Sequence, residues 1–478
     1  MSHDALAAVD QYLAAHRTEG LDGLRAFLSI PSVSAITFHR EDVWRAAAFL
    51  ADRLTTAGLE GVAVLPTPGH PVVVGEWLHA PGAPTALVYG HYDVQPVDPL
   101  PLWTSPPFEP AVREGRLFAR GAADDKGQVW MHILAVEALL RTTGRLPCNV
   151  KFLLEGEEEI GSGHLPTFVA ERRGQLAADV VVISDSGFYA PGLPSIAYGL
   201  RGLCGLDLHV HGPNRDLHSG EYGGAVQNPL HALADLLAGL HDREGLVTVA
   251  GFYDEVRPLD GPERAALARL PFEETEYRRG IGVPATFGEA GYTTTERSSA
   301  RPTLEVNGMW GGFLGEGSKT IIPAEAHAKV TCRLVPDQDA DRVLALVRTH
   351  LEAHCPPGVR VEVDVHGGSP ATVVPLDSEY IRAAARALQQ AFGTAPVYLR
   401  MGGSIGVVPA FTQTLRAPVV LMGFGLPEDR IHSPNESFDL GNYDRGQRAI
   451  AGYWLELGAM GGPATTPTTV TPRRKPLA

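Results

Sequence analysis

With 478 residues the chain exceeds the usual size of one domain, so more than one is expected. Hydrophobic residues make up 44% and charged residues 20%, the balance of a globular protein with a real core. Its 55 acidic against 40 basic residues give a formal net charge of -15. That argues against binding nucleic acid, where a basic stripe must meet phosphates, and against an anionic membrane surface.

Residues 4–60 predict amphipathic helices, broken by the turn IPSVS at 30–34. The N-terminus lacks the basic start and apolar stretch of a signal peptide, and no run approaches about 18 apolar residues. The expectation is a cytoplasmic protein with no membrane helix. Short apolar runs follow: VAVL at 62–65, PVVVGEW at 71–77 and TALVYG at 85–90. Each ends at Gly, Pro or His, as strands of an α/β sheet do. LFARGAADDKG leads into a helical pattern over 128–144, and NVKFLLEGEEE and DVVVISDSG are further strands that end on carboxylates. The four cysteines, Cys148, Cys204, Cys332 and Cys355, form no CxxC pair and read as small buried hydrophobes in a reducing compartment.

Around Gly199 the texture changes. GLCGLDLHVHG alternates as a half-buried strand, NPLHALADLLAGL is a helix, and TLEVNGMWGGF and AHAKVTCRLVP are strands. A helix from Asp339 and a strand VRVEVDVHGG complete a β-α-β-β-α-β order, which predicts a ferredoxin-like α+β unit with a charged helical excursion over 240–300. The α/β texture returns near Pro375. The domains expected are therefore 1–200 and 371–460 for an α/β catalytic domain and 201–370 for an inserted second domain. The Thr/Pro-rich residues 461–478 predict disorder.

Five elements carry the chemistry: His91 with Asp93, Asp124-Asp125, Glu157-Glu158-Glu159, Asp185 and His432. Each alone is weak, since a single His at a strand end is usually structural and Asp before Gly is usually a turn. Together, two imidazoles and several carboxylates beyond strand ends are the donors of a divalent-metal site. Burying so many carboxylates in one cleft would be prohibitive without cations. Two close metals would neutralise them and clamp both an attacking water and an amide oxygen.

The motifs GHYDVQP at 90–96, ARGAADDKG at 119–127, EGEEEIGS at 155–162, ISDSG at 183–187, YGLRG at 198–202, DLHSG at 216–220, KTIIPAEA at 319–326, RLVP at 333–336, RMGGSI at 400–405 and IHSPNE at 431–436 span nearly the whole chain. In this order they make it similar to the M20 metallopeptidases, especially the carnosine-dipeptidase-like branch. The resemblance implies a zinc-exopeptidase-like mixed sheet flanked by helices, with the inserted unit as lid and dimerisation domain. It implies two divalent metal ions per subunit, zinc first, with manganese or cobalt as alternatives. His91, Asp124 and Asp185 would hold one ion, and Asp124, Glu159 and His432 the other. Glu158 would be the general base on the activated water, Asp93 would orient His91, and His218 would donate to the oxyanion from the partner copy of a homodimer. A cis Asp124–Asp125 peptide is also implied.

On the substrate side, Arg333 suits a bidentate grip on a carboxylate, with Gly403, Ser404 and His366 beside it. Met401 stands where many dipeptidases of the branch carry Glu in Arg-x-Gly-Gly-Ser. That leaves two substrates open, a small peptide and an N-acyl amino acid. Two remote readings remain. Residues 402–406 match the G-x-S-x-G nucleophile elbow, with Ser404 as nucleophile and Asp429 and His432 downstream. The other is a non-catalytic, metal-bound scaffold.

Overall fold

The structure is a computed structural model that describes residues 2–461, so all but the first residue of the expected tail lies outside the described residues. The chain divides into two compact units. The first holds residues up to 196, 376–396 and those from 410 on; the second holds 197–375 and 397–409.

In the first unit, helices α1 (Ser2–Ala15), α2 (Arg17–Leu28) and α3 (Arg40–Ala57) precede the sheet, as the amphipathic pattern predicts. The strands β1 (Glu60–Leu65), β2 (Val72–Trp77), β3 (Thr85–His91), β4 (Asn149–Glu155) and β5 (Val180–Ile183) are joined by strand Val419–Leu421. Their order is β1-β2-β4-β3-β5 and then Val419–Leu421. The two pairings at the β1 edge are antiparallel and the other three parallel, which makes the sheet mixed. β3 and β5 are almost continuously apolar because a parallel strand is covered on both faces. Helix α4 (Lys126–Thr143) crosses from β3 to β4 and is buried nearly all round. It packs against β3 and against helix Leu440–Ala459.

Two glycines set the close approach of α4 to β3. A Cβ on Gly90 would lie 2.5 Å from Val129 and 2.7 Å from the Asp125 carboxylate. One on Gly127 would lie 2.0 Å from the Ala122 carbonyl oxygen, backbone that cannot give way.

The second unit contains a four-stranded antiparallel sheet of β6 (Gly202–His211), β7 (Thr303–Gly311), β8 (Glu325–Leu334) and β9 (Arg360–Ser369), in the order β7-β8-β6-β9. With helices α5 (Pro229–Ala238) and α6 (Ala340–Ala353) this is the expected β-α-β-β-α-β unit. Alternation sends Cys204, Leu206, Leu208 and Val210 into a core with both helices and leaves Asp207, His209 and His211 on the other face. The excursion over 240–300 contains three short helices, Gly261–Leu267, Glu274–Ile281 and Thr294–Ala300.

Residues 397–409 differ from the sequence-based division, which put them with the first unit. They cluster with the second because Arg201 holds them: its Nε donates to the Gly402 carbonyl at 2.8 Å and its main-chain N–H to that of Gly403 at 3.1 Å.

Among the described residues no helix is long and apolar enough to cross a membrane.

Candidate metal centre

His91 ends β3, Glu158 and Glu159 follow β4, Asp185 follows β5, and His432 lies in the loop beyond Val419–Leu421. Because these four strands run parallel, their carboxyl ends share one edge, the edge where polar loops of open α/β sheets gather. Asp124 arrives from the crossover, just before α4, and its peptide bond to Asp125 is cis, as the resemblance implies.

Asp124 stands between two imidazoles. Its Oδ1 is 3.0 Å from His91 Nε2 and its Oδ2 is 3.0 Å from His432 Nε2. His432 Nε2 is also 3.1 Å from Glu159 Oε2. One donor atom each from His91, Asp124 and Glu159 falls within 4.8 Å of the others. His91 Nδ1 donates to the Asp93 carbonyl at 3.1 Å, which leaves Nε2 as the ring nitrogen turned toward Asp124.

The electrostatics are those of crowded acids. Burial raises Asp185 to about 7, with Asp124 adding to the rise. Burial also pushes Glu158 and Asp125 well above the carboxylate range, each with Asp185 adding to the rise. Asp124 goes the other way: burial opposes ionisation, but hydrogen bonds from His432 and His91 hold it below its usual value. His432 rises to about 10 through its contacts with Asp124 and Glu159. Imidazoles and carboxylates converging on one bridging carboxylate fit divalent cations of the borderline class, which would keep these acids ionised.

Asp93 does more than orient His91. Its Oδ1 accepts the N–H of Glu158 at 3.2 Å and its Oδ2 that of Glu159 at 3.1 Å, which fixes the turn carrying both glutamates. Three further residues escape a reading of motifs alone. Gln95 Nε2 donates to Glu159 Oε2 at 2.8 Å. Glu157 is buried and accepts the N–H of His70 at 3.1 Å. Glu436 is wholly buried and gathers the loop before Asp124. Gln95 and Glu436 lie inside the quoted motifs, so the signal was present; their partners were not.

The remaining candidates belong to the second unit. His218 is exposed at the end of a two-residue strand paired with Ile321–Ile322, and its Nδ1 accepts the Gly220 N–H at 3.0 Å. Arg333, on β8, donates to Ser404 Oγ at 2.8 Å. Ser404 in turn donates to the Arg201 carbonyl at 2.6 Å. That hydroxyl is held by a guanidinium and a carbonyl, not by an imidazole, while Asp429 pairs with Arg116 and His432 with Asp124 and Glu159. Ser404 therefore lacks the base that a nucleophile elbow needs. Gly403 offers its carbonyl to Arg201, and His366 lies apart from Arg333's partners, 3.2 Å from Asp207 Oδ1.

The family described as Peptidase family M20/M25/M40 matches residues 87–456. The Cys-Gly metallodipeptidase dug1 of Schizosaccharomyces pombe is 32% identical over 93% of this chain and 96% of its own length. The crystal structure of human carnosine dipeptidase 1 aligns with a TM-score of 0.86 and 32% identity, covering 95% of this chain and 99% of that one. The M20 family metallo-carboxypeptidase Sso-CP2 from Sulfolobus solfataricus aligns with a TM-score of 0.83 and 32% identity, covering 92% and 100%.

Proposed function

Since this chain belongs to peptidase family M20/M25/M40, we propose that it is a dipeptidase that hydrolyses the amide bond of dipeptides or small peptides with two divalent metal ions per subunit. One observation carries the reading: the two oxygens of Asp124 face different imidazoles, His91 and His432, as a bridging ligand requires. His91, Asp124 and Asp185 would hold one ion, and Asp124, Glu159 and His432 the other. Zinc is the first choice, with manganese and cobalt the alternatives. When bound, such ions supply Lewis acidity and a water of lowered pKa.

The chain's own residues do the rest. Glu158, raised by burial and by neighbouring charge, takes a proton from the attacking water and returns it to the leaving amine. Asp93 holds Glu158 and Glu159 in register through their N–H groups. In this reading His218 is the oxyanion donor from the second copy of a homodimer built through the second unit. Arg333, steadied by Ser404, grips the substrate carboxylate, with Gly403 and His366 nearer the rim.

Met401 favours a second reading, an N-acyl amino acid substrate, because a thioether offers no counter-charge to a free amine. Turnover of Cys-Gly, β-Ala-His and an N-acetyl amino acid, measured before and after chelation and metal return, tests both. Metal-reversible cleavage of a dipeptide supports the first; cleavage of the acylated compound alone supports the second. Chelator-insensitive turnover overturns both.

A further inference from the structure

A group of side chains on the open face of the second unit's sheet has no part in the chemistry above. His209 and His211 lie two residues apart on β6, so the strand period turns both to that face. The antiparallel register sets His327 of β8 opposite His209 and Glu325 opposite His211. On the other side, β9 sets Glu362 opposite His209.

These side chains close into one unbroken series of contacts. His209 Nδ1 lies 2.7 Å from His327 Nδ1, and His209 Nε2 lies 3.4 Å from Asp364 Oδ2. Glu325 spans the other two rings, with Oε1 3.5 Å from His327 Nε2 and Oε2 3.7 Å from His211 Nδ1. Glu362 Oε2 ends the series 3.4 Å from His211 Nε2. Trp310 stacks on His327 with ring centroids 5.2 Å apart and fixes its plane.

Two imidazole nitrogens this close must share one proton, because two acceptors or two cations would repel. A borderline divalent ion replaces that proton well. Tetrahedral Zn–N bonds of about 2.0–2.1 Å set two ring nitrogens about 3.3–3.4 Å apart, so the rings need part by only about 0.7 Å. Small side-chain rotations then bring in Glu325, and His211 behind it, as further donors. The platform is rigid, being three hydrogen-bonded strands, and the rings remain partly open to solvent, which gives the ion a way in. The local charge suits a cation: Glu325, Glu362, Asp364 and Asp207 face only Lys329 and Arg360.

We propose that His209 and His327, with Glu325 and His211 completing the shell, form a divalent transition-metal site on this sheet face, of the zinc, copper or nickel class, that clips β6 to β8. It is independent of the His91 centre in residues and in unit.

Equilibrium dialysis of the full chain against zinc, followed by metal analysis, tests it with a His209→Gln/His327→Gln variant beside the wild type. The wild type is expected to keep one more equivalent per chain, and its zinc-dependent rise in Tm should shrink in the variant while peptide turnover is unchanged. Equal zinc content in the two proteins overturns the proposal. Crystals of the wild type grown with zinc give a check that needs no variant. An anomalous peak within bonding distance of both Nδ1 atoms supports the site, and its absence from an otherwise ordered sheet overturns it.

Discussion

The carboxylate of Glu436 accepts the main-chain N–H of Asp124 at 3.2 Å. Through the same Oε1 it takes the N–H of Ala123 at 3.0 Å, and through Oε2 it takes that of Gly121 at 3.0 Å and Arg120 NH1 at 2.8 Å. Glu436 lies four residues beyond His432, so one buried carboxylate ties two ligand-bearing segments together. Glu436→Gln places an amide N–H₂ against donors and loses half of these bonds. Metal affinity is expected to fall about 10–100-fold, the usual effect of removing a group that orients ligands. Titration with a competing chelator reads it; unchanged affinity would separate Glu436 from the metal.

Glu158 and Glu159 hang from the same clamp, Asp93, yet face different tasks. Only Glu159 reaches His432, at 3.1 Å. Glu158→Gln is expected to retain its metal content and lose about 10²–10⁴-fold in turnover, as removal of a general base does. Glu159→Gln is expected to lose metal. Metal analysis alongside kinetics decides, and metal loss confined to Glu158→Gln would mean the two roles are exchanged.

How far the sequence carried this can be judged from particular residues. The hydrophobic runs of β3, β4 and β5 and the carboxylates that follow them are local signals, and the strand period and chain order are enough to place them on one sheet edge. The alternation of β6 gave its two faces in the same way. What no local signal holds is which polar group answers which. Glu436 reaches a loop more than 300 residues earlier, and nothing in its neighbourhood names that loop. The placement of residues 397–409 with the second unit depends on Arg201, some 200 residues upstream. The contact of His209 with His327 likewise needs the β6–β8 register, which periodicity alone leaves open.

His132 offers a test by pH. It is buried on α4, its Nε2 is 2.7 Å from Ser184 Oγ, and burial lowers its pKa to about 3. The unfolded chain binds this proton at about 6.5, so between about pH 6.5 and 3 the unfolded state holds more protons than the folded one. Stability from this group is therefore full above about 6.5 and drains away as pH falls, by roughly 3 kcal/mol at about pH 4 at 1.36 kcal/mol per unit. His132→Gln has no such proton to gain. Denaturant unfolding at neutral and acid pH is expected to show a smaller acid loss in the variant than in the wild type, and equal losses would mean that His132 is protonated within the fold.

The role of His218 turns on which copy of the chain it serves. Every residue assigned here to the metal ions or to the general base belongs to the first unit, while His218 belongs to the second, exposed at the end of its two-residue strand. If it reaches the partner's centre, each working site needs Glu158 from one chain and His218 from the other. His218→Ala and Glu158→Gln homodimers are then both inactive, for different reasons. After subunit exchange, a mixed dimer pairs the intact Glu158 of one chain with the intact His218 of the other and so regains one working site of its two. Full exchange gives half of the dimers this mixed form, so activity is expected to recover to about a quarter of wild type. Exchange is followed independently by fluorescence transfer between labelled chains. If transfer appears and activity stays at the level of the parent variants, His218 acts within its own chain, where the double defect of trans sharing cannot be repaired.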